Sequence, residues 1–319
     1  MAAGNNAEPD SLTVAARNAG ANTDRQFRSA RVGKRWFGFA ATLGILICAA
    51  MLSAQTRIVV HGHRGARAMR PENTIPAFQY AIGAGVDVLE LDMGVTKDGV
   101  VVVSHDPYLE PPVCSGPQGH AKTAIHTLTL AEVRQWDCGK VRNPLFSKQT
   151  PIPGTRMPTL DEVFDLAPGN QVQFNIETKI FADHPELSPG PEEFVKLVLA
   201  LVRKHHLEKR VMLQSFDFRT LRAMKQIAPE IKRVALWEGD ANRDFVSIAK
   251  EAEATVISPY YKRVTPEKVA AAHAAGLEVV PWTVNTPADW DKLIEAKCDA
   301  IISDDPAELI AYLKAKGLR

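Results

Sequence analysis

The chain has 319 residues, 45% of them hydrophobic and 24% charged, enough apolar material to bury a substantial core and to exclude global disorder. Its 38 Lys and Arg nearly balance 37 Asp and Glu, leaving a net charge of +1, so no basic excess points to a nucleic-acid partner. One catalytic-sized domain behind a leader is the simplest organisation, and nothing in the chain specifies an oligomeric state.

Residues 1–35 are rich in Ala, Asn, Asp, Ser and Arg without apolar periodicity and read as a disordered basic leader. Arg25, Arg28, Arg31, Lys34 and Arg35 form its basic cluster. Residues 36–54 follow without a charge and are about long enough to span a bilayer, so they read as a signal peptide or a signal-anchor helix. The expectation is export: periplasmic or secreted if the segment is cleaved, or anchored through residues 36–54 with the folded domain, residues 57–319, outside the cytoplasm.

Ile58, Val59 and Val60 suit a strand buried on both faces, which breaks at the glycine-punctuated turn His61-Gly62-His63-Arg64-Gly65. A helix is predicted from Ile75 to Ala84, with Asn73 or Thr74 as N-cap and Gly85 as its end. In the next strand, residues 86–92, Glu90 and Asp92 are two apart and leave the same face. Two such carboxylates need a cation, either a hard divalent ion, Mg²⁺ or Ca²⁺, or a base such as Arg64. Asp98-Gly99 between apolar runs predicts a hairpin that brings His105 back level with this pair and close to His63. Two histidines flanking two carboxylates suggest acid and base catalysis.

These blocks carry a resemblance. His63-Arg64-Gly65, Pro71-Glu72-Asn73-Thr74, Glu90-Leu91-Asp92, Thr96-Lys97-Asp98-Gly99 and His105-Asp106 resemble, in order and spacing, the signature of the glycerophosphodiester phosphodiesterase family. The resemblance implies a barrel fold, a metal and a phosphodiester substrate.

Residues 107–158 are rich in Pro, Gly and polar residues and read as an insertion capping the mouth of the site. Within it Cys114 and Cys138 could close a disulfide loop of about 25 residues, worth roughly 3 kcal/mol, or remain two free thiols. Thr159 and Glu162 form a capping box for a helix to Leu166. Residues 171–179 read as a strand ending in Glu177 and Lys179; by spacing alone these are an ion pair, while the resemblance makes Glu177 a third metal ligand and Lys179 a phosphate binder. From there strand and helix alternate to the C-terminus. Strands at Val59, Leu89, Phe174, Met212, Ala235, Val256, Val279 and Ile301 make eight, with the Val100 arm of the hairpin set aside. The expected fold is a TIM-type (β/α)8 barrel with a small insertion after the second strand's hairpin, its site at the carboxyl ends of the strands. Trp282 offers a wall for substrate, and Asn285 lies in the same strand-end block; both are substrate-binding candidates, and His205 and His206 are expected on the solvated surface.

The resemblance thus implies hydrolysis of glycerophosphodiesters to glycerol 3-phosphate and an alcohol. One divalent cation, Mg²⁺ or Ca²⁺, would sit on Glu90, Asp92 and Glu177. Arg64 and Lys179 would neutralise phosphate charge while His63 and His105 share the proton work. A second enzymatic reading is lysophospholipase D-type cleavage of lysophospholipids, which an apolar lining from residues 107–158 and retained membrane anchoring would favour. A membrane-tethered binding module with a degenerate site is the reading from another class, against which the intact His63, Glu90, Asp92, His105 and Glu177 stand.

Overall fold

The structure, a computed structural model, describes residues 57–117 and 122–319; the expected leader 1–35 and the apolar segment 36–54 lie outside them. Eight parallel strands are laid down in order around one sheet: β1 (Val59–Gly62), β2 (Val88–Val95), β6 (Gln173–Thr178), β7 (Val211–Ser215), β8 (Lys232–Trp237), β9 (Val256–Pro259), β10 (Glu278–Val279) and β11 (Ala300–Ser303). β11 pairs back onto β1, with Val60 opposite Ile301. The remaining seam, from β10 to β11, is bridged by backbone bonds from Asp299 N to Val279 O, Ile302 N to Pro281 O and Val284 N to Ile302 O. A nearly closed TIM-type barrel results, and the hairpin arm β3 (Val101–Val103) lies outside it, antiparallel to β2.

Period-two alternation decides what each strand shows to each side. Val60, Leu89, Leu91, Phe174, Ile176, Leu213, Ala235 and Ile257 face outward, fully buried under the helices. The inward set at the lower level is Val59, Met212, Val234, Val256, Val280, Ala300 and Ile302, a separate apolar plug in the lumen. Above that plug the inward positions of β2 and β6 become Glu90, Asp92, Asn175 and Glu177, all buried. The same alternation therefore builds the outer core and aims the carboxylates into the mouth.

Helices α1 (Ile75–Ala84), α4 (Pro191–Lys204), α5 (Phe218–Ile227), α6 (Phe245–Ala252), α7 (Pro266–Ala274), α8 (Pro287–Glu295) and α9 (Pro306–Ala315) form the outer layer; the short α2 (Leu130–Val133) lies in the insertion and α3 (Leu160–Phe164) just beyond it. Thr74, rather than Asn73, caps α1, and Gly85 ends it at φ 88°. The Thr159–Glu162 capping box forms as expected, although α3 stops at Phe164, two residues short of Leu166. Among the described residues no helix is long and apolar enough to cross a membrane.

The insertion opens on a short antiparallel pair, β4 (Tyr108–Leu109) with β5 (Thr123–Ala124). It has its own small core of Leu109, Ile125, Val133, Trp136 and Met157, joined by the disulfide Cys114–Cys138. His205 departs from the surface expectation: it is half-buried, bonds Asp161 Oδ1 at 2.7 Å through Nε2 and packs edge-on against Phe164. Cys298 is buried, and burial pushes its thiol up to about 12.

Candidate active site

The turn that ends β1 is forced by its glycines. A Cβ on Gly62 would sit 2.2 Å from the Gly65 carbonyl, and Gly65 itself has φ +84°. Arg64, between them, takes φ 49°, a conformation costing a non-glycine residue about 1 kcal/mol. It is held there because its N–H donates to Glu90 Oε2 at 2.9 Å, tying the turn to β2.

Carboxylate oxygens of Glu90, Asp92 and Glu177 lie within 4.8 Å of one another, all three buried. Lys179 Nζ is 2.8 Å from Glu177 Oε1 and 3.5 Å from Asp92 Oδ1, and Arg64 Nε is 3.3 Å from Asp92 Oδ2. Despite burial, Lys179 and then Arg64 hold the Asp92 carboxyl well below the usual range. Glu90 goes the other way: burial, then the charges of Asp92 and Glu177, push it well above that range. Glu177 is also raised, by burial first, even with Lys179 against it. Ionised together, the three carboxylates would outnumber the two cationic side chains beside them, and their mutual repulsion is part of what raises Glu90 and Glu177. A hard divalent cation with oxygen ligands fits this donor set.

His63 and His105 both reach the cleft that these groups line, together with Arg64, Lys179 and Trp282, in a space of about 170 Å³. His63 Nδ1 is 2.5 Å from Asp304 Oδ1 and its Nε2 4.0 Å from Glu90 Oε2. Burial lowers the His63 pKa although Asp304 opposes it. His105 Nδ1 lies 2.8 Å from Asp106 Oδ1, an exposed neighbour. The hairpin puts it there: Val103 pairs with Met93, and Ser104 N donates to Asp92 O. Opposite stands an aromatic wall, Trp282 with Phe216 edge-on at 5.5 Å, the indole N–H fixed to Ser258 O at 2.9 Å.

Asn285 does not line the cleft. Its Oδ1 accepts from Asp304 N and Ser303 Oγ while its Nδ2 donates to Asp304 Oδ2, so both ends of the amide are occupied away from substrate. Residues 107–158 wall the loop carrying His105, and their Phe146 stacks at 4.6 Å against Arg67 of the cleft wall.

Several residues of the site were not singled out from sequence. Glu72 accepts from Arg64 Nη1 at 2.6 Å and Asn73 Nδ2 donates to Asp92 Oδ2 at 3.0 Å, so the Pro71-Glu72-Asn73-Thr74 segment braces the site as well as starting α1. Gln214 Nε2 donates to Glu90 Oε1 at 2.6 Å, and Asn175 Nδ2 to Gln214 Oε1 at 2.8 Å, a line of amides behind the carboxylates. Arg67, on the cleft wall, and Asp304 complete the set. Gln214 and Asp304 stand at strand ends where a barrel gathers its polar groups, and Asp304 lies in a Ser-Asp-x-Pro block that also resembles the family, but neither signal specifies a role.

A parallel barrel whose mouth gathers two imidazoles, three carboxylates, an arginine and a lysine in one cleft has the make-up of a hydrolase acting on anionic substrates. Comparison with known proteins narrows the class. Residues 63–308 match the glycerophosphoryl diester phosphodiesterase family. A glycerophosphodiester phosphodiesterase of Caldanaerobacter subterraneus subsp. tengcongensis is 35% identical over 82% of this chain and all of its own length. Another, from Bacillus subtilis, is 31% identical over 80% of this chain and 86% of its own. A crystal structure from Silicibacter pomeroyi, assigned by its name to the same family, superposes with a TM-score of 0.77 at 32% identity, covering 82% of this chain and 95% of that one. The chain belongs to the glycerophosphodiester phosphodiesterase family, and with it to the phosphoric diester hydrolases.

Proposed function

We propose that this protein hydrolyses glycerophosphodiesters to glycerol 3-phosphate and an alcohol, with one divalent cation, Mg²⁺ or Ca²⁺, held by Glu90, Asp92 and Glu177. The observation that carries the reading is the meeting of two imidazoles and three carboxylates in one small cleft lined also by Arg64 and Lys179. When bound, the cation would polarise a phosphoryl oxygen as a Lewis acid. Arg64 and Lys179, kept charged by Asp92, Glu72 and Glu177, bind the phosphate and offset charge that builds on it. His63 and His105 move the protons, one from the attacking nucleophile, which is water or, through a cyclic phosphate that water then opens, the substrate's own glycerol hydroxyl, and one to the departing alkoxide. Trp282 and Phe216 supply an apolar face for the glycerol or headgroup carbons.

The lysophospholipid reading draws no support from Leu109, Ile125, Val133, Trp136 and Met157, which pack in the insertion's own core; it would need an apolar lining from elsewhere in residues 107–158 and retained anchoring through residues 36–54. An intact set of charged and imidazole groups likewise argues against a degenerate binding module. We place the protein outside the cytoplasm, exported through residues 36–54, a reading that the buried Cys114–Cys138 disulfide supports.

Substitution of each histidine is the test. His63→Ala and His105→Ala should each lower kcat on glycerophosphocholine by roughly 10²–10⁴-fold with the far-ultraviolet circular dichroism unchanged. Near-native turnover in both would remove the two-histidine mechanism.

A further inference from the structure

Behind His63 a chain of polar groups runs out of the cleft, and its polarity is set by one backbone amide. The Asp304 N–H can only donate, and it meets Asn285 Oδ1 at 2.9 Å; Ser303 Oγ, at 3.1 Å, reaches the same oxygen. That oxygen is therefore an acceptor, which turns the Asn285 amide nitrogen toward Asp304. Asn285 Nδ2 donates to Asp304 Oδ2 at 2.7 Å, and the remaining oxygen, Oδ1, lies 2.5 Å from His63 Nδ1. Asp304 is nearly buried and has Arg67 Nε at 3.8 Å, so it stands there as a carboxylate with acceptor capacity only. His63 Nδ1 must then carry the hydrogen. The backbone N–H of His63 donates to Ser303 O at 3.0 Å, so backbone and ring are both registered on β11.

We propose that Asp304, oriented by Asn285, is the positioning residue for His63: it holds the proton on Nδ1 and leaves Nε2 bare toward the cleft. The inference rests on the hydrolytic reading above and deepens it. His105 lacks such a brace, since its Asp106 partner is the next residue in the chain and half exposed. Asp304 and Asn285 touch no substrate in this account; they act through the ring.

The arrangement specifies its own test. In Asp304→Asn the new amide keeps its oxygen toward the Asn285 NH₂ and presents its own NH₂ to His63 Nδ1. That nitrogen must then accept, and the hydrogen moves to Nε2, the wrong atom for taking a proton from the cleft. A reversed pair, D304N with N285D, restores the order. The carboxylate now at position 285 accepts from the side-chain amide at position 304, and it still accepts from that residue's backbone N–H and from Ser303 Oγ. The amide oxygen at position 304 then again faces His63.

Two readouts are made on the full chain, kcat and KM on glycerophosphocholine and ¹⁵N NMR of the His63 ring, its signals assigned by their loss in His63→Gln. We expect D304N to lower kcat by about 10²–10⁴-fold with KM within a few-fold, and to shift the neutral ring from the Nδ1–H to the Nε2–H tautomer. The reversed pair should regain at least tenfold in kcat and return the ring to Nδ1–H. An unchanged tautomer in D304N, or a reversed pair no more active than D304N with both variants folded, overturns the proposal. Should the wild type cleave no glycerophosphodiester at all, the tautomer measurement still decides the positioning role. Should the tautomer prediction fail in an active enzyme, the hydrolytic reading stands without it.

Discussion

At the scale of single residues, the structure gives identical side chains different work. His63 faces the cleft from the end of β1, whereas His61, two residues earlier on the same strand, points to the same side but one level lower. There it is 2% exposed, with no hydrogen-bond partner for Nδ1 among the described residues. Burial pushes its pKa down from 6.5 to about 3, Lys232 adding to the fall and Asp87 opposing it. The folded state thus keeps His61 neutral, while the unfolded chain takes up a proton below about pH 6.5. Its contribution is fully present above that pH and is lost as the pH falls toward 3, at up to about 1.4 kcal/mol per unit. Urea unfolding at pH 7.5 and pH 5 should show a smaller loss of stability in His61→Leu than in wild type. An equal loss in the two would place the acid sensitivity elsewhere.

At the scale of elements, the insertion is a folded unit that backs the His105 loop: Tyr108, Cys114, Cys138 and Met157 line a small cavity with His105 and Asp106. The disulfide closes 24 residues of this unit and should stabilise it by about 3 kcal/mol in the chain-entropy model. Cys114→Ser with Cys138→Ser should therefore lower the melting temperature by roughly 5–10 °C. A melting curve superimposable on wild type would mean that the insertion's apolar core holds it alone. How much of this was legible in the sequence differs by element. Helix α1 with its capping threonine and terminal glycine, the Thr159 box and the eight strand positions follow from local signals, because caps and periodicity act within a few residues. Glu90, Asp92 and Glu177 share a side by the same alternation. Contacts closing across the barrel left no such local mark. The His63–Asp304 pair spans 241 residues, and it exists only because β11 returns beside β1 in one register. Asn285 could be assigned to the mouth from its strand-end block, but not to the back of Asp304.

At the scale of the whole molecule, the fold separates stability from chemistry by height in the lumen. An apolar plug fills the lower level, and the charged groups are stacked above it at the carboxyl ends of the strands. Such a concentration of buried carboxylate is costly to the fold unless a cation offsets it, which ties the central claim to a metal. The direct measurement is release of glycerol 3-phosphate from glycerophosphocholine by the purified protein, before and after chelation, followed by return of Mg²⁺ or Ca²⁺, with lysophosphatidylcholine run in parallel. The account predicts release that stops with chelator, returns with one of the two ions, and exceeds cleavage of the lysophospholipid. Release unaffected by chelator, or cleavage confined to the lysophospholipid, would contradict it.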